Sequence, residues 1–200
     1  IPLDCGRCPD DAASTGQFLL QAAEQADCVI TTGGMSVGEE DYVRQQVESL
    51  GCIDFWKLAI KPGKPVAFGQ LQGTAFFGLP GNPVSAYVTF HLLVRPWLLK
   101  SMGLANLVDI DLASANLKGY SATANFERHN RGRRLDFLRG VARINETGQL
   151  VADLFDNQSS GVLSSISAAN ILIPMAAGQR LTAGERCAIL PLSCFGELKI

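Results

Sequence analysis

The sequence predicts two folds in succession: an α/β unit with a mostly parallel sheet over residues 1 to about 103, then a small all-β barrel from about residue 108. In the first half, helical spacing alternates with short apolar, β-branched runs, which is typical of an α/β fold. In the second half, short apolar runs are separated by turn residues such as Asn145-Glu146-Thr147-Gly148. A chain of 200 residues is long enough to bury a core in each half.

Three helices are predicted in the first half, each from a start signal followed by apolar residues at helical spacing. They are a helix that begins at Pro9-Asp10-Asp11, a helix over Glu39–Leu50 that ends at Gly51 as its C′ residue, and a helix that begins at Asn82-Pro83, runs to about Lys100 and kinks near Pro96. Strands between them are predicted at Cys28–Thr32, Phe55–Ile60, Pro65–Phe68 and Thr74–Phe77.

The second half is predicted to contain six strands and no long helix. They are Asp109–Asn116, Tyr120–Phe126, Leu135–Ile144, Leu150–Phe155, Asn170–Pro174 and Glu185–Leu190. Short strands at this density favour a closed or nearly closed β architecture.

Composition excludes several classes of protein. Hydrophobic residues make up 47% and charged residues 18% of the chain, which is typical of a globular protein and not of a disordered one. A net charge of −2 and few aromatic residues near the basic clusters argue against a nucleic-acid partner. No apolar run reaches the roughly 18 residues of a membrane span, and the start lacks a signal peptide. We therefore expect a cytoplasmic protein without a membrane partner; because it begins without Met, we also expect processing or excision from a longer protein.

The cysteines leave two interpretations open. The six lie at positions 5, 8, 28, 52, 187 and 194, and Cys5 and Cys8 form a C-x-x-C pair. A zinc site would need a second close pair, which Cys187 and Cys194 do not supply. Free cytosolic thiols are the simpler interpretation.

A glycine-rich segment follows the first predicted strand. Thr31-Thr32-Gly33-Gly34-Met35-Ser36-Val37-Gly38 can expose consecutive backbone N–H groups to an anion, at the strand end where α/β proteins bind ligands. The segment is neither a P-loop nor a dinucleotide fingerprint, and an ordinary βα turn remains the alternative.

Acidic residues cluster at the starts of two predicted helices, at positions 10, 11, 39, 40 and 41. Carboxylates beside a bound polyphosphate commonly hold Mg²⁺. Helix capping and favourable interaction with the helix dipole explain the same residues without any metal.

Two further segments are candidates for an anion site. Lys57, Lys61 and Lys64 lie within eight residues of one another around a Pro-Gly turn, with Lys57 expected inside an apolar strand. The segment Gly78–Ala86 contains two prolines that stiffen a loop leading into a helix. A hairpin with solvated lysines and a stiff connector are the respective alternatives.

Arginines concentrate in the second half, at positions 128, 131, 133 and 134, with Arg139 nearby. Guanidinium groups in such a cluster are suited to anions. Solvated barrel loops account for the cluster equally well.

Taken together, four strings resemble one family. TTGGMSVGEEDY, FWKLAIKPGKPVAFG, FFGLPGNPVSAYVTF and GRRLDFLRG occur here in the order seen in molybdopterin molybdenumtransferases, the family of MoeA and gephyrin. The resemblance covers essentially the whole chain. It implies that residues 1–103 are the later part of a MogA-like molybdopterin-binding domain and that residues 108–200 are the C-terminal β-barrel domain.

The resemblance also implies an activity, its substrates and its site residues. The family inserts molybdate into adenylylated molybdopterin, with Mg²⁺-assisted release of AMP. By position, Asp10 and Asp41 resemble the carboxylates near the metal and phosphates, and Lys57 and Lys61 resemble the basic residues near the oxyanion. The cofactor-binding positions implied are Thr32, Gly33, Gly34, Ser36, Gly38, Lys64, Pro80, Gly81, Asn82, Pro83, Arg134 and Ser160.

Partners and alternatives follow from the same resemblance. It implies small-molecule substrates, a homodimer in the full-length protein and contact with other proteins of molybdenum cofactor synthesis. The competing hypotheses are a non-catalytic binding or scaffold module of the same fold and an unrelated phosphate binder. Pterin binding without AMP release would favour the module, and absence of pterin binding would favour the unrelated binder.

Overall fold

The structure is a computed structural model that describes residues 1–8, 11–34, 42–104, 110–111, 116–117 and 120–192. The chain divides into two compact units. The first comprises Ile1–Leu58 and Gly63–Thr89, and the second comprises Ala59–Pro62 and Phe90–Ile200. A four-residue segment from the first half of the sequence therefore packs with the second unit.

The first half alternates helices and strands, as predicted. In chain order the elements are α1 (Ala12–Gln25), β1 (Cys28–Thr32), α2 (Tyr42–Leu50), β2 (Gly51–Trp56), β3 (Ile60–Lys61), β4 (Ala67–Leu71), β5 (Thr74–Leu79), α3 (Pro83–Thr89), a π-helical segment (Phe90–Val94) and α4 (Arg95–Ser101). Helix α1 begins after Asp11, whose side chain accepts a hydrogen bond from the Ser14 backbone N–H at 2.9 Å. The helix-start signal is thus confirmed, with Asp11 as the N-cap.

The sheet of the first unit is mixed, which corrects the expectation of a mostly parallel one. Its strand order is β1-β5-β4-β2. Strands β1 and β5 are parallel, whereas β5 with β4 and β4 with β2 are antiparallel. The physical reason is the connection between β4 and β5: Gln72 and Gly73 form a two-residue turn with φ of 48° and 89°. A turn this short joins only antiparallel strands.

Strand β2 lies earlier in the sequence than predicted. The apolar run Phe55–Ile60 was expected to be a strand, but β2 covers Gly51–Trp56 and the next paired residues are Ile60–Lys61. Gly51, expected to follow a helix as its C′ residue, is the first residue of β2. A Cβ there would lie 1.9 Å from the carbonyl oxygen of Gln70, so strand pairing requires glycine at this position.

Helices α1 and α2 cover one face of this sheet. Their apolar side chains form a core with the sheet that comprises Leu19, Ala22, Ala23, Val29, Val47, Ala67, Leu71 and Phe76. Three phenylalanines pair across the sheet from β2 to β5, with ring centroids 5.8 Å apart for Phe55 and Phe68 and 4.8 Å for Phe68 and Phe77. Burial of these apolar groups supplies the main stabilising term for the first unit.

The predicted kink near Pro96 takes the form of a wider helical segment. Proline has no N–H to donate to the residue four positions earlier, and its ring crowds that carbonyl. The turn before Pro96 accordingly opens into the π-helical segment Phe90–Val94.

The second unit is mainly β. Its remaining elements are β6 (Ile110–Asp111), β7 (Asn116–Leu117), β8 (Ser121–Ala124), β9 (Arg128–His129), β10 (Leu135–Ile144), β11 (Leu150–Leu154), α5 (Ser164–Ala168), β12 (Ile171–Met175), β13 (Arg180–Leu181), β14 (Arg186–Ala188) and β15 (Leu190–Pro191). The prediction for β10 is confirmed at both ends. The single strand predicted at Asp109–Asn116 is wrong: β6 and β7 form an antiparallel pair instead.

The largest sheet is nearly closed into a barrel. Its order is β14-β8-β11-β10-β12-β15, with β3 also paired to β10. Strands β14 and β15, at the two ends of this order, are separated in the chain by Ile189 alone. One continuous stretch of chain therefore bridges the ends, and the predicted strand Glu185–Leu190 is divided in two. The enclosed core comprises Ala122, Ala124, Leu138, Ala142, Ala152, Ile171, Ile173, Met175, Leu181, Cys187 and Ile189.

Among the described helices, none combines the length and apolar character needed to cross a membrane.

Candidate functional site

The glycine turn follows β1 directly. Gly33 and Gly34 have φ of 89° and 66°, a region that other residues adopt only with strain. The Gly33 N–H donates to the carbonyl of Leu79 at 3.0 Å, which fixes the turn to the end of β5. Thr32 is exposed at the same strand end.

The stiff loop after β5 approaches this turn closely. Strands β1 and β5 are parallel and their last residues, Thr32 and Leu79, are paired, so both loops leave the same edge of the sheet. A Cβ on Gly81 would lie 3.4 Å from the Cα of Gly33. Two segments that the sequence singled out separately are therefore brought together at the edge where α/β sheets bind ligands.

The loop itself is held by its own helix. Asn82 Oδ1 accepts hydrogen bonds from the N–H groups of Val84 at 3.1 Å and Ser85 at 3.3 Å, which confirms it as the N-cap of α3. Pro83 is the first residue of the helix, as predicted. Pro80 is buried, whereas Gly81 and Pro83 are exposed.

An unsatisfied hydroxyl lies beside the glycine turn. The Oγ1 atom of Thr31 is buried and has no hydrogen-bond partner among the described residues. Leaving a buried hydroxyl unpaired costs about 1–3 kcal/mol.

Part of the predicted site lies outside the described residues: Asp10, Ser36, Gly38 and Asp41. Asp11 is described, and its carboxylate caps α1. The backbone N–H of Ser14 lowers the pKa of Asp11 by bonding to its charged form. Within the described ranges, no group of three or more histidine, cysteine or acidic residues is arranged to hold a metal ion.

The position of Lys57 corrects the expectation of a charge inside an apolar strand. Lys57 lies just beyond β2, is exposed and has a φ of 80°. Its N–H donates to the Val66 carbonyl at 2.9 Å, and the N–H of Leu58 donates to the Lys64 carbonyl at 3.1 Å. Since a positive φ is incompatible with strand geometry, strand β2 ends at Trp56, before this lysine. Lys64 is also exposed, and both lysines belong to the first unit.

Lys61 packs with the second unit. It lies in β3, whose two residues pair in parallel with Leu135 and Asp136 of β10 in the second unit. Its Nζ atom is 3.5 Å from Asp136 Oδ2. The Arg134 Nη1 atom donates to the Ile60 carbonyl at 3.1 Å. Arg134 and Lys61, both named from the sequence, are thus brought to the same end of the barrel sheet.

The arginines differ strongly in environment. Arg128, Arg131 and Arg133 are exposed, whereas Arg139 is only 1% exposed. Burial lowers the pKa of Arg139, an effect that the nearby Asp136 carboxylate opposes. An anion in solvent does not reach a guanidinium so deeply buried, which corrects the grouping of Arg139 with the other arginines.

Arg139 braces the loop that carries Ser160. Its Nε donates to Ser165 Oγ and its Nη2 donates to the Ser159 carbonyl, both at 3.2 Å. Its backbone also exchanges hydrogen bonds with the side chain of Gln158. Ser160 itself is exposed on this loop. The buried guanidinium therefore acts on the serine loop from inside the protein.

The described cysteines are free thiols. Burial raises the pKa of Cys28 to about 11, and it also raises that of Cys187. Both stay protonated near neutral pH, so neither is suited to act as a nucleophile. Cys8 donates to Thr15 Oγ1 at 3.7 Å, while Cys5 is exposed.

Sequence reasoning missed Thr31, Asp136 and the bracing role of Arg139. Two of these carried a visible signal, because Asp136 and Arg139 are charged residues inside the apolar run Leu135–Ile144. A charged side chain within such an apolar run indicates an ion-pair or hydrogen-bond partner, because burying an unpaired charge is costly. Nothing in the sequence distinguishes Thr31 from the neighbouring Thr32.

Comparison with known proteins identifies the family. A family model described as a probable molybdopterin binding domain matches residues 2–100, and one described as the MoeA C-terminal region (domain IV) matches residues 121–192. The chain belongs to the molybdopterin molybdenumtransferase family of MoeA and gephyrin. The resemblance inferred from the four sequence strings is thereby confirmed.

Named relatives agree with this assignment. A molybdopterin molybdenumtransferase of Haemophilus influenzae is 40% identical over 96% of this chain and 46% of its own length. The molybdenum cofactor synthesis protein cinnamon of Drosophila melanogaster is 35% identical over 94% of this chain and 29% of its own length. A crystal structure of a molybdopterin biosynthesis MoeA protein from Pyrococcus horikoshii matches with a TM-score of 0.71 and 26% identity, over 96% of this chain and 44% of that one. The chain thus spans less than half the length of these family members.

Proposed function

We propose that this chain is part of a molybdopterin molybdenumtransferase, a cytoplasmic enzyme that inserts molybdate into adenylylated molybdopterin with Mg²⁺-dependent release of AMP. The observation that carries the proposal is the close approach of two loops in this chain, which belongs to the family. The Gly33 turn and the Pro80–Pro83 loop are so close that a Cβ on Gly81 would lie 3.4 Å from the Cα of Gly33. They meet at the edge of the sheet where α/β proteins bind ligands.

In this proposal, the first unit binds the phosphorylated pterin. The backbone N–H of Gly34 and the hydroxyl of the exposed Thr32 offer donors to phosphate or pterin oxygens. Gly33, whose N–H donates to the Leu79 carbonyl, allows the close backbone approach that the ligand requires. The exposed Lys64 adds a positive charge from the same unit. Ser36 and Gly38 are proposed to extend the binding segment on the strength of the family resemblance.

The lysines are proposed to act on the oxyanion. Molybdate and a pyrophosphate bond both carry negative charge, which ammonium groups offset without needing a nucleophile. Lys57 and Lys61 are the candidates. Arg134 and Ser160 are proposed as cofactor-binding residues of the barrel, although one nitrogen of Arg134 is already used on the Ile60 carbonyl.

Mg²⁺ is proposed because the chain offers carboxylate groups that could bind it. Carboxylate oxygens are the ligands that this ion prefers, and Asp10 and Asp41 would supply them. When bound, the ion would offset charge on the phosphates. A homodimer, and contact with other proteins of cofactor synthesis, remain proposals drawn from the family.

The test is molybdate-dependent AMP release from adenylylated molybdopterin by the intact protein. We expect release with the wild type and a loss of about 10-fold or more with Lys57→Ala, since removing one group that stabilises developing charge costs about 3 kcal/mol in a preorganised site. Lys100→Ala, an exposed lysine at the end of α4, is the matched control and should keep full activity.

Two outcomes would overturn the proposal. Tight pterin binding without molybdate-dependent AMP release would identify a non-catalytic binding or scaffold module. Absence of any pterin binding would identify an unrelated phosphate binder.

A further inference from the structure

Asp136 is an acid in a place where acids are costly. It is 5% exposed in β10, between Leu135 at 8% and Phe137 at 0%. Burying a carboxylate costs several kcal/mol unless a partner compensates. The position therefore calls for an explanation through its partners.

Its hydrogen-bond partner among the described residues is Lys61. The distance from Lys61 Nζ to Asp136 Oδ2 is 3.5 Å, and the lysine side chain is 51% exposed against 8% for the aspartate. A long contact to a half-exposed ammonium contributes little stability. The buried guanidinium of Arg139 also attracts this carboxylate, which helps to explain why the barrel tolerates the acid. The direct contact with Lys61 is left to be explained by a role other than stability.

The backbone next to this pair is held firmly. The N–H of Leu135 donates to the Ala59 carbonyl at 2.9 Å, and Arg134 Nη1 donates to the Ile60 carbonyl at 3.1 Å. Ile60 is 2% exposed. Because these bonds fix the neighbouring backbone, the remaining freedom of Lys61 is that of its side chain. Fixing a lysine side chain in one rotamer costs about 2 kcal/mol of conformational entropy.

We propose that Asp136 is a positioning residue that holds the Lys61 ammonium in the orientation in which it meets an oxyanion substrate. The inference rests on the proposed function. A buried carboxylate that contacts the ammonium of a half-exposed lysine restrains the side chain while leaving part of the ammonium open to solvent. Residue-by-residue pairing of β3 with β10 keeps the two groups in register.

The experiment is a double-mutant cycle on molybdate-dependent AMP release by the intact protein. Its variants are Asp136→Asn, Lys61→Ala and the double variant. Asp136→Asn keeps the size of the side chain and removes its charge. We expect it to raise the KM for molybdate by about 2- to 5-fold with a smaller change in kcat, because a contact of this kind is weak and misplaced binding groups act first on binding.

The decisive readout is the double variant. If Asp136 acts through Lys61, Asp136→Asn has no further effect in the Lys61→Ala background. A purely structural role would instead give additive losses, which would overturn the inference. Melting temperatures of all variants are measured alongside. The matched control is Asp153→Asn, which removes a carboxylate paired with Arg143 at 2.7 Å on the same barrel and should leave the KM unchanged.

Failure of the inference and failure of the proposed function are distinguishable. If Lys61→Ala lowers activity and Asp136→Asn does not, the inference is wrong and the proposed function stands. If Lys61→Ala itself matches the wild type, the assigned role of Lys61 is wrong and the inference fails with it.

Discussion

At the scale of single residues, Thr31 has a buried hydroxyl whose lack of a partner in the residues that the structure describes costs stability. Its hydroxyl is buried without a partner in the described part of the chain, beside the turn proposed to bind the pterin. Thr74 is a natural contrast, because its Oγ1 donates to the Ala23 carbonyl at 3.1 Å. One threonine is unsatisfied and the other is satisfied within the same unit.

Replacing each threonine by valine, which is close in shape, separates the two cases. We expect Thr31→Val to leave the free energy of unfolding unchanged or raise it by up to about 1 kcal/mol, and Thr74→Val to lower it by about 1 kcal/mol. Molybdopterin affinity should fall only for Thr31→Val. Guanidinium denaturation and ligand titration measure both quantities. Equal destabilisation by the two substitutions would mean that Thr31 has a hydrogen bond in the protein.

His91 gives the second unit a pH-dependent stability. Burial, and secondarily the charge of Arg95, lowers the pKa of His91 from 6.5 to about 4. Its ring packs edge-on against Phe90 with centroids 5.7 Å apart. Because the folded state resists protonation more than the unfolded state does, stability is full above pH 6.5 and is lost as the pH falls toward 4.

A variant that does not titrate should lose this dependence. Between pH 6.5 and 4, we expect the unfolding free energy of His91→Gln to fall by roughly 1–2 kcal/mol less than that of the wild type. This value is smaller than the full pKa shift would give, because the ring is partly exposed to solvent. Chemical denaturation at a series of pH values measures the decline. His129→Gln is the control, since His129 is exposed; an identical pH profile for His91→Gln and wild type would contradict the assignment.

At the scale of elements, one buried side chain joins three segments of the barrel. Asn130 is 7% exposed, and its Nδ2 donates to the carbonyls of Arg134 at 2.8 Å, Met175 at 3.0 Å and Ala176 at 3.0 Å. These bonds tie the turn after β9 to the end of β12. Removing the amide would break all three bonds, although the Ala176 carbonyl would still accept from the Gln179 N–H at 3.1 Å.

Asn130→Ala should lower the unfolding free energy by about 2–3 kcal/mol, because buried groups left unsatisfied carry a full desolvation penalty. Asn145→Ala is the comparison: Asn145 also organises a turn, but on the surface, and should cost about 1 kcal/mol or less. Denaturation together with amide hydrogen exchange around residues 130–134 provides the measurement. Comparable costs for the two variants would contradict the central role of Asn130.

Elements set by local chemistry were predicted well from the sequence. The bounds of β1 and β10, the N-cap at Asp11 and the start of α3 at Asn82-Pro83 all depend on residues a few positions apart. The pairing of β3 with β10 could not be predicted this way, because Lys61 and Asp136 are 75 positions apart. Long-range pairing also moved β2 away from the apolar run, and it reserved Gly51 for strand pairing instead of a helix end.

Site prediction followed the same division. The glycine turn and the Pro80–Pro83 loop were recognised from their composition, but only the parallel pairing of β1 with β5 brings them together. The lysines were recognised as a group, whereas packing assigns Lys61 to one unit and Lys57 and Lys64 to the other. Burial, which depends on the whole fold, decides that Arg139 braces a loop instead of facing solvent.

At the scale of the whole molecule, the chain combines two units that each have a core and each match a part of one family. The pterin-binding proposal rests on the first unit, and the positioning of Lys61 rests on the second. In the proposed function, the turn at Gly33 binds the phosphorylated pterin.

Two glycines with the same backbone angle test that claim. Gly33 and Gly73 both have a φ of 89°, but a Cβ on Gly73 would meet nothing within 4 Å, and Gly73 lies in the turn between β4 and β5. Substitution by alanine should strain each turn by about 1–2 kcal/mol. The decisive measurement is calorimetric titration of molybdopterin into wild type, Gly33→Ala and Gly73→Ala. We expect an affinity loss on the order of 10-fold or more for Gly33→Ala alone, and equal affinity of the two variants would contradict the proposed role of the Gly33 turn.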